Sequence, residues 1–309
     1  MARGLGASYS GPQLKMKIRI LARIKNNYSN KRIVYEAQKR GHLISVIDPL
    51  DYKIFLNKKN PLLFKNGSKL RKVDIVLPRF GATISNYALA VINQFEMMGT
   101  PVVNRSMALI RSRDKLRCLQ FMTKKNIDLP RTVVIRKPSE IRTAVDYIGG
   151  FPVVLKLLSG SQGIGVMLAE NYQTIESTLD TLWSLGQDIL LQECIKESFG
   201  KDIRAFVIGD RVVAAMRRQA KIGEFRSNLH RGGTGTMVSL DKRFTRAAIE
   251  AAKVIGLNIA GVDMLESNDG PKVMEVNSSP GLEGIEQATD KNIAGEIIDY
   301  LENFIKDNV

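Results

Sequence analysis

Residues Ala260–Glu286 read AGVDMLESNDGPKVMEVNSSPGLEGIE, and this stretch predicts a hairpin with polar side chains on one face. The two strands are Gly261–Glu266 and Lys272–Val276. Asn268-Asp269-Gly270 fits a three-residue hairpin loop with glycine in the left-handed position. The pattern therefore indicates antiparallel β-structure near the end of the chain.

Counting back from that loop, Ser267 faces Pro271 and Asp263 falls opposite Glu275. Glu275 and Asn277 are two residues apart and share a face. Directly opposed carboxylates repel, so a cation between them would explain the pair. Oxygen ligands from Asp, Glu and Asn suit Mg²⁺ or Mn²⁺.

An acidic hairpin that faces solvent is the alternative to a metal site. Four apolar residues are predicted on the opposite face of the hairpin: Val262, Met264, Met274 and Val276. Because they leave the polar face unconstrained, this geometry does not decide between the two readings.

The composition of the 309 residues is that of a globular protein, with 44% hydrophobic and 25% charged residues. No apolar run approaches the ~20 residues of a membrane-spanning helix. The only cysteines, Cys118 and Cys194, cannot form a disulfide framework, so we expect a reducing cytoplasm. Two histidines disfavour a multi-histidine metal site and a Ser-His-Asp triad. Carboxylates, lysines, arginines and backbone amides are left to carry the chemistry.

The net charge of +15 is unevenly distributed. Residues 1–114 contain 21 Lys and Arg against 6 Asp and Glu, whereas residues 115–309 contain 25 of each. Solubility explains such an excess, and so does attraction of a polyanion, either nucleic acid or an acidic polypeptide.

Residues 1–15 are polar and rich in Gly and Ser, and they are predicted to be a flexible lead. Strands alternate with helices over residues 16–110, which predicts an α/β domain with a parallel sheet. Its strands are predicted at Met16–Ala22, Leu43–Ile47, Val73–Leu77 and Val102–Val103, and its helices at Asn30–Arg40 and Ser85–Met98. The first strand lacks a G-x-G-x-x-G turn, which disfavours a dinucleotide-binding Rossmann domain.

Paired strands and further helices follow. The predicted strands are Val153–Leu158, Val166–Ala169, Ile189–Gln192, Ile203–Ile208 and Val212–Met216. The predicted helices are Arg113–Lys125, Ser139–Ile148 with Ser139 as N-cap, Thr174–Leu185, Phe244–Ile255 and Ile293–Ile305.

Lys156 interrupts an apolar strand that leads into Gly160-Ser-Gln-Gly163-Ile-Gly165. A buried lysine is costly unless it is paired with an anion, and a flexible glycine loop can fold its amides over a phosphate. The combination favours a phosphate site. A lysine at a strand edge beside an ordinary glycine-rich hairpin is the alternative.

Three further segments carry weaker signals. Ile189–Glu197 resembles an inter-domain hinge that could hold an adenine, with a plain edge strand as the alternative. Asp202 and Arg204 share a strand face. The loop Arg217–Gly233 is rich in hydrogen-bond donors, which suits either transfer chemistry or a solvated loop.

Taken in order, these segments resemble an ATP-grasp carboxylate–amine ligase, and within that superfamily the RimK-type α-L-glutamate ligases. The resemblance runs from Met16 to the C-terminus. It is carried by PRFG (Pro78–Gly81), RSRDKLRCLQ (Arg111–Gln120), SGSQGIGVMLAE (Ser159–Glu170), FRSNLHRGG (Phe225–Gly233), AGVDMLES (Ala260–Ser267) and VMEVNSSPGLEGIE (Val273–Glu286).

The resemblance implies an α/β pre-ATP-grasp domain (16–112), an ATP-grasp central subdomain (113–195) and a C-terminal subdomain (196–309). ATP would lie between two antiparallel sheets. The implied contacts are Lys115 and Lys156 to phosphates; Glu193, Cys194 and Ile195 at the adenine and ribose, with Asp202 nearby; Arg226 and Asn228 to the transferring phosphoryl group; and Asp263, Glu275 and Asn277 to two Mg²⁺ or Mn²⁺ ions.

The implied reaction activates a substrate carboxylate as an acyl phosphate, which the amine of L-glutamate attacks. Arg204 could orient a carboxylate bidentately. The implied acceptor is an acidic polypeptide C-terminus, such as a ribosomal small-subunit protein tail, or a glutamate oligomer. The alternatives are an ATP-grasp ligase for another small acceptor and a non-enzymatic protein that binds nucleic acid or the ribosome. No membrane partner is expected, and a homo-oligomer stays open.

Overall fold

The computed structural model describes residues 15–58, 60–81, 84–158, 164–229 and 232–308. The predicted lead up to residue 14 and the glycine-loop residues 160–163 lie outside the described residues. The described part is a mixed α/β and α+β structure with four sheets.

The N-terminal domain is built on a parallel sheet of order β2-β1-β6, as predicted. The predicted fourth strand reduces to a single bridge between Val102 and Val76. An antiparallel sheet, β3-β4-β5, was not predicted. The elements are β1 (Lys17–Leu21), α1 (Tyr28–Lys39), β2 (Leu43–Ile47), β3 (Lys53–Phe55), β4 (Leu62–Lys65), β5 (Ser68–Lys69), β6 (Ile75–Pro78) and α2 (Asn86–Met97).

Helix α4 (Lys115–Lys124) confirms the predicted helix Arg113–Lys125, whereas α3 (Ser106–Arg113), which precedes it, was not predicted. The two helices meet at Asp114. Asp114 separates them with extended backbone, and its side chain accepts a hydrogen bond from the backbone N–H of Arg117. That cap makes Lys115 the first residue of α4, at the edge of the cleft described below.

The central sheet has the order β7-β10-β8-β9 and is antiparallel throughout. It has a hydrophobic core of its own with helices α5 and α6. The prediction of Ser139 as an N-cap is wrong, because Pro138–Glu140 forms a 3₁₀ turn and the helix starts at Ile141. The elements are β7 (Thr132–Val134), α5 (Ile141–Tyr147), β8 (Val153–Leu157), β9 (Val166–Ala169), α6 (Tyr172–Ser184) and β10 (Ile189–Glu193).

The C-terminal sheet is antiparallel with the order β13-β12-β11-β14-β15. Helix α7 covers one face and buries a core made largely of Ala, Ile and Val. The elements are β11 (Lys201–Ile208), β12 (Arg211–Gln219), β13 (Thr234–Met237), α7 (Lys242–Ile255), β14 (Ile259–Ser267), β15 (Gly270–Asn277), α8 (Glu283–Thr289) and α9 (Ile293–Asn308).

The β14–β15 hairpin has a two-residue loop, because Ser267 pairs with Gly270 rather than with Pro271. A β-bulge then shifts the register by one residue: Met264 pairs with Val273, but the preceding residue, Asp263, pairs with Glu275 and skips Met274. The two differences cancel, and Asp263 lies opposite Glu275 as predicted.

The N-terminal domain and the C-terminal subdomain share one hydrophobic core, in which α1 and α9 pack together. Glu286 stabilises the contact, because its carboxylate accepts hydrogen bonds from the Tyr28 hydroxyl at 2.9 Å and from Arg32 Nε at 3.0 Å. Asn104 Nδ2 donates to the carbonyls of Ile259 and Ser278 at 2.8 and 3.0 Å. The N-terminal domain and the C-terminal subdomain therefore form one packed unit, whereas the central sheet has its own core.

Across the described ranges, every helix is too short or too polar to cross a lipid bilayer.

Candidate active site

A cleft separates the central sheet from the C-terminal sheet, with α4 at one end. It brings together ten of the twelve predicted site residues: Lys115, Lys156, Glu193, Cys194, Ile195, Asp202, Arg226, Asn228, Asp263 and Glu275. Arg204 and Asn277 do not line this cleft; Arg204 is bonded to Asp263, and Asn277 lines an adjoining crevice.

Lys156 projects from β8, which pairs with β10 on one side and β9 on the other. The alternative of a lysine at a strand edge is therefore wrong. Lys156 Nζ donates to Gln192 Oε1 at 2.6 Å, a neutral partner. Burial lowers the pKa of Lys156 to about 8, and the Glu275 carboxylate opposes that shift. A bound anion would stabilise the charged form of this desolvated ammonium group.

Lys115 reaches into the cleft from the first turn of α4. Its Nζ donates to the backbone carbonyl of Leu157 at 3.0 Å, at the end of β8. Burial lowers the pKa of Lys115, with Glu275 again opposing. Two desolvated ammonium groups thus flank the place where the glycine loop departs from β8.

The predicted hinge follows β10, an interior strand of the central sheet, so the edge-strand alternative is wrong. The Glu193 carboxylate accepts two hydrogen bonds from Arg131, at 3.0 Å from its backbone N–H and at 2.9 Å from Nη2. The Nη2 bond is the main cause that lowers the pKa of Glu193. Cys194 is half-buried, and burial raises the pKa of its thiol. A raised thiol pKa fits a structural role for Cys194.

A buried chain of alternating charges crosses the floor of the cleft. Arg204 donates to both carboxylate oxygens of Asp263 at 2.7 and 2.6 Å. Arg218 is joined to Asp202 through both of its carboxylate oxygens and also lies 3.0 Å from Asp263. Burial raises the pKa of Asp263, but the two arginines overcome this effect and hold it below its usual range. Asp263 is therefore a carboxylate at neutral pH.

Glu275, directly opposite Asp263, has a different environment. It makes no ion pair with any residue that the structure describes, and burial together with Asp263 raises its pKa. Asn277 donates through Nδ2 to Gly261 and Asp263, at 3.4 and 3.3 Å. Because Asp263 is 2% exposed and lines the cleft, the alternative of a solvent-facing acidic hairpin is wrong.

The donor set of Asp263, Glu275 and Asn277 fits a divalent cation in chemistry. All three supply oxygen, and Glu275, which has no ion-pair partner in the described part of the chain, carries a charge that a hard cation would neutralise. Within the described ranges, no group of three or more His, Cys, Asp or Glu side chains is assembled for a metal. The set therefore depends on the amide of Asn277, and Asp263 would have to share its oxygens with arginine.

The loop after β12 closes the other side of the cleft. Arg226 is held by Glu224 at 2.8 Å from Nε and 2.7 Å from Nη2, and its guanidinium lies 5.5 Å from the centre of the Phe225 ring. Asn228 lines the cleft two residues later. The predicted His230 and Arg231 of this loop lie outside the described residues.

Sequence reasoning missed three groups that shape the cleft. Arg218 neutralises two buried carboxylates, Gln192 positions Lys156, and Met274 lines the cleft although it was predicted on the opposite face. The bulge in β15 explains Met274. The start of the predicted loop Arg217–Gly233 is wrong, because β12 continues to Gln219 and places Arg218 directly opposite Asp202.

The cleft lies between two antiparallel sheets, as the resemblance to ATP-grasp ligases implies. Residues 16–109 match the model of the RimK PreATP-grasp domain, and residues 112–301 match that of the RimK-like ATP-grasp domain. The chain belongs to the RimK-like ATP-grasp family.

Curated relatives support this assignment over nearly the whole chain. A probable alpha-L-glutamate ligase from Vibrio parahaemolyticus is 52% identical over 293 residues, 95% of this chain and 97% of the relative. A probable alpha-L-glutamate ligase 1 from Shewanella denitrificans is 53% identical over 287 residues, 93% and 97% of the two chains.

Solved structures of low identity share the fold. The ATP-grasp ligase PsnB, complexed with minimal precursor, Mg and ADP, superposes with a TM-score of 0.74 at 20% identity, covering 94% of this chain and 98% of PsnB. A RimK domain protein from Sphaerobacter thermophilus gives 0.69 at 23% identity, with 92% and 98% coverage. D-alanine–D-alanine ligase from Bacillus anthracis, complexed with ATP, gives 0.67 at 17% identity, with 96% and 100% coverage.

Proposed function

We propose that this protein uses ATP to add L-glutamate to the C-terminal carboxylate of an acidic acceptor. The observation that carries the proposal is the meeting of Lys115, Lys156, Asp263 and Glu275 in one cleft. The chain that holds them is about half identical, end to end, to proteins named as glutamate ligases.

The cleft offers a complementary place for each part of ATP. Lys115 and Lys156 would contact the phosphates, because both are desolvated cations that line the cleft. The backbone at Glu193–Ile195 would receive the adenine. Glu193, with Asp202 nearby, would accept hydrogen bonds from the ribose.

Asp263, Glu275 and Asn277 would hold Mg²⁺ or Mn²⁺, and we propose two ions. When bound, divalent ions neutralise phosphate charge during phosphoryl transfer. The arginine contacts of Asp263 keep this carboxylate ionised. Glu275 would supply a carboxylate that is free of ion pairs with the described residues.

The reaction would proceed in two steps. The acceptor carboxylate attacks the γ-phosphate of ATP, so ADP leaves and an acyl phosphate forms. The amine of glutamate then attacks the acyl carbon, phosphate leaves, and an amide forms with release of a proton. Arg226 and Asn228 line the cleft where the transferring phosphoryl group would be stabilised.

Arg204 was expected to orient a substrate carboxylate, and its contacts suggest a different role. Its bidentate face is occupied by Asp263 rather than by open space. We therefore assign Arg204 the task of fixing Asp263, and through it the metal side of the cleft. It stays a candidate for the acceptor carboxylate only if that contact is exchanged.

The basic N-terminal third supports an acidic acceptor, either a ribosomal protein tail or a glutamate oligomer. The division at residues 16–112, 113–195 and 196–309 is proposed with it. The test is mass spectrometry of purified protein with ATP, Mg²⁺ and L-glutamate, with and without small-subunit ribosomal proteins. A ladder of added glutamate residues is expected. Tight RNA binding without any added glutamate would favour the non-enzymatic alternative, and amide formation with another amine would favour a different small substrate.

A further inference from the structure

The antiparallel sheet β3-β4-β5 packs one of its faces into the N-terminal domain. On this inner face Leu63 is fully buried, and Ile54 packs against the same hydrophobic cluster. Helix α2 holds the sheet in place, since Gln94 Nε2 donates to the carbonyls of Phe55 and Leu62 at 3.3 and 3.2 Å. The opposite face of the sheet therefore points away from the core.

This outer face, which we call the basic face, carries lysines on both sides of an aromatic residue. The register pairs Phe64 with Lys53 on one side and with Lys69 on the other, so the three side chains share one face. Phe55 lies two residues after Lys53 on the same face, opposite Leu62. The basic face therefore consists of Lys53, Phe55, Leu62, Phe64 and Lys69.

Phe55 and Phe64 form the apolar part of the basic face. Their ring centroids are 6.2 Å apart and their planes meet at 79°, which is an edge-to-face contact. Phe55 is 47% exposed, and the adjacent Leu56 is 71% exposed. Another apolar side chain that covered these groups would remove their surface from water, which is favourable.

Positive charge is concentrated in and around this sheet. Residues 53–72 contain seven Lys and Arg and no Asp or Glu, which is nearly half of the net charge of +15. Five of these cations are exposed, and none of the five lies within 4.0 Å of a carboxylate that the structure describes. They are Lys53, Lys58, Lys69, Arg71 and Lys72. A polyanion is therefore the partner that the charge of this segment fits.

The inner face of the sheet links it to the proposed active site. The core that contains Leu63 also contains Phe80 and Ile84, and both of these residues line a crevice next to the nucleotide cleft. That crevice shares Lys115 and Glu275 with the cleft. A chain held on the basic face would therefore be bound to the domain that forms one wall of the crevice.

We propose that the basic face binds an acidic polypeptide that also carries apolar side chains, and that it docks the body of the acceptor outside the cleft. The proposal rests on the proposed glutamate ligation and deepens it by naming where the acceptor is recognised. Carboxylates of the partner would meet Lys53 and Lys69, and an apolar side chain would cover Phe55. The apolar part favours a protein tail over a pure glutamate oligomer.

RNA would match the positive charge of the basic face as well. Bases, however, stack on open aromatic faces. In the Phe55–Phe64 pair, the edge of one ring lies against the face of the other. The geometry of the two rings therefore favours a polypeptide, and RNA becomes an outcome of the test.

Fluorescence anisotropy with labelled peptides, in the absence of ATP, tests the proposal. The probes are octaglutamate and a peptide of the same length in which Leu and Phe replace two of the glutamates. Lys53→Glu with Lys69→Glu should weaken both peptides by about tenfold or more, because two attractions become repulsions. Phe55→Ser should weaken the peptide with Leu and Phe by about three- to tenfold and octaglutamate by less than about twofold.

Lys31→Glu with Lys39→Glu is the matched control, because it makes the same charge change at exposed positions of α1 in the same domain. It should change either affinity by less than about threefold, as expected for charges outside the binding surface. Thermal unfolding checks that each variant is folded. If Phe55→Ser unfolds, the variant with both lysines reversed still tests the basic face.

The proposal is overturned if the wild type binds neither peptide, or if the lysine variant binds both as tightly as the wild type does. It is also overturned if labelled oligouridylate binds more tightly than the peptide with Leu and Phe and the same variants lose it, which would show an RNA surface. Docking that depends on the basic face in a protein that adds no glutamate would instead overturn only the proposed function.

Discussion

Asp263 and Glu275 face each other across the β14–β15 pair, yet only Asp263 is neutralised by arginines. The asymmetry gives the two carboxylates different pKa shifts, downward for Asp263 and upward for Glu275. In the described residues Asp263 is thus ion-paired with arginines, whereas Glu275 has only the longer-range attraction of Lys115, Arg204 and Lys156. The first prediction follows from this difference.

Glu275→Gln should weaken Mn²⁺ binding and cut ATP turnover by at least tenfold, because it removes a carboxylate of the proposed metal site. It should not destabilise the metal-free protein, since it also removes a repulsion. Calorimetric titration with Mn²⁺ and thermal unfolding in chelator measure the two effects. Asp269→Asn, at the tip of the same hairpin and outside the cleft, is the matched control. Unchanged turnover at ordinary Mg²⁺ would remove Glu275 from the site.

Lys156→Met should weaken ATP binding by about ten- to a hundredfold, the range for a lost charged hydrogen bond. The fold should remain, because the methionine chain fills the same space between β10 and β9 without burying a charge. Calorimetry with ATP and Mg²⁺ measures the effect, and Lys124→Met on the exposed face of α4 is the control. Equal affinities in the two variants would exclude a phosphate contact for Lys156.

The stability of the ligand-free protein should depend on pH through Lys156. Its folded pKa, about 8, lies below the 10.5 of an ordinary exposed lysine, so its burial destabilises the protein fully below pH 8. The penalty should fade as pH rises from 8 to about 10.5, where the unfolded lysine also loses its proton. Urea unfolding should therefore show the advantage of Lys156→Met over the wild type shrinking across that window. A constant difference between the two proteins would contradict the shift.

Arg218 and Asp202 should behave as a coupled buried pair, since each is 3% exposed. Arg218→Met should lower the free energy of unfolding by about 3–5 kcal/mol, because it leaves a buried carboxylate uncompensated. Adding Asp202→Asn should restore part of the loss. A double-mutant cycle in urea measures the coupling. Additive losses would show that the two side chains act independently.

The basic N-terminal domain should govern the apparent KM for the acidic acceptor. Lys58→Glu with Lys69→Glu, both exposed, should raise this KM severalfold and leave the KM for ATP within about twofold. Added salt should act in the same direction, since the Debye length at physiological ionic strength is ~8 Å. Steady-state kinetics with a glutamate-rich peptide measures both. An acceptor KM that ignores salt and charge reversal would rule out electrostatic attraction.

Much of the fold could be predicted because its elements are periodic over five residues or more. The alternation in β1 and the helical spacing in α2 identify these elements, and the parallel sheet follows from their order. The sheet β3-β4-β5 was missed because its strands are two to four residues long and partly exposed. Helix α3 was missed because its apolar residues, Met107–Ile110, are consecutive and show no helical spacing.

The site, too, could be predicted from the sequence only in part. Local spacing predicted that Asp263 opposes Glu275, because the loop of a hairpin sets which residues of its two strands face each other. The loop is one residue shorter than predicted, but the β-bulge offsets this difference. What tertiary structure decided was the partner of each charge. The ion pairs of Arg204 and Arg218 with Asp263 and the hydrogen bond from Lys156 to Gln192 all form between different strands. Such contacts depend on distances between residues that are far apart in the sequence, which local spacing does not encode. The burial of each charged group at these contacts then determines how much free energy a bound counterion would contribute.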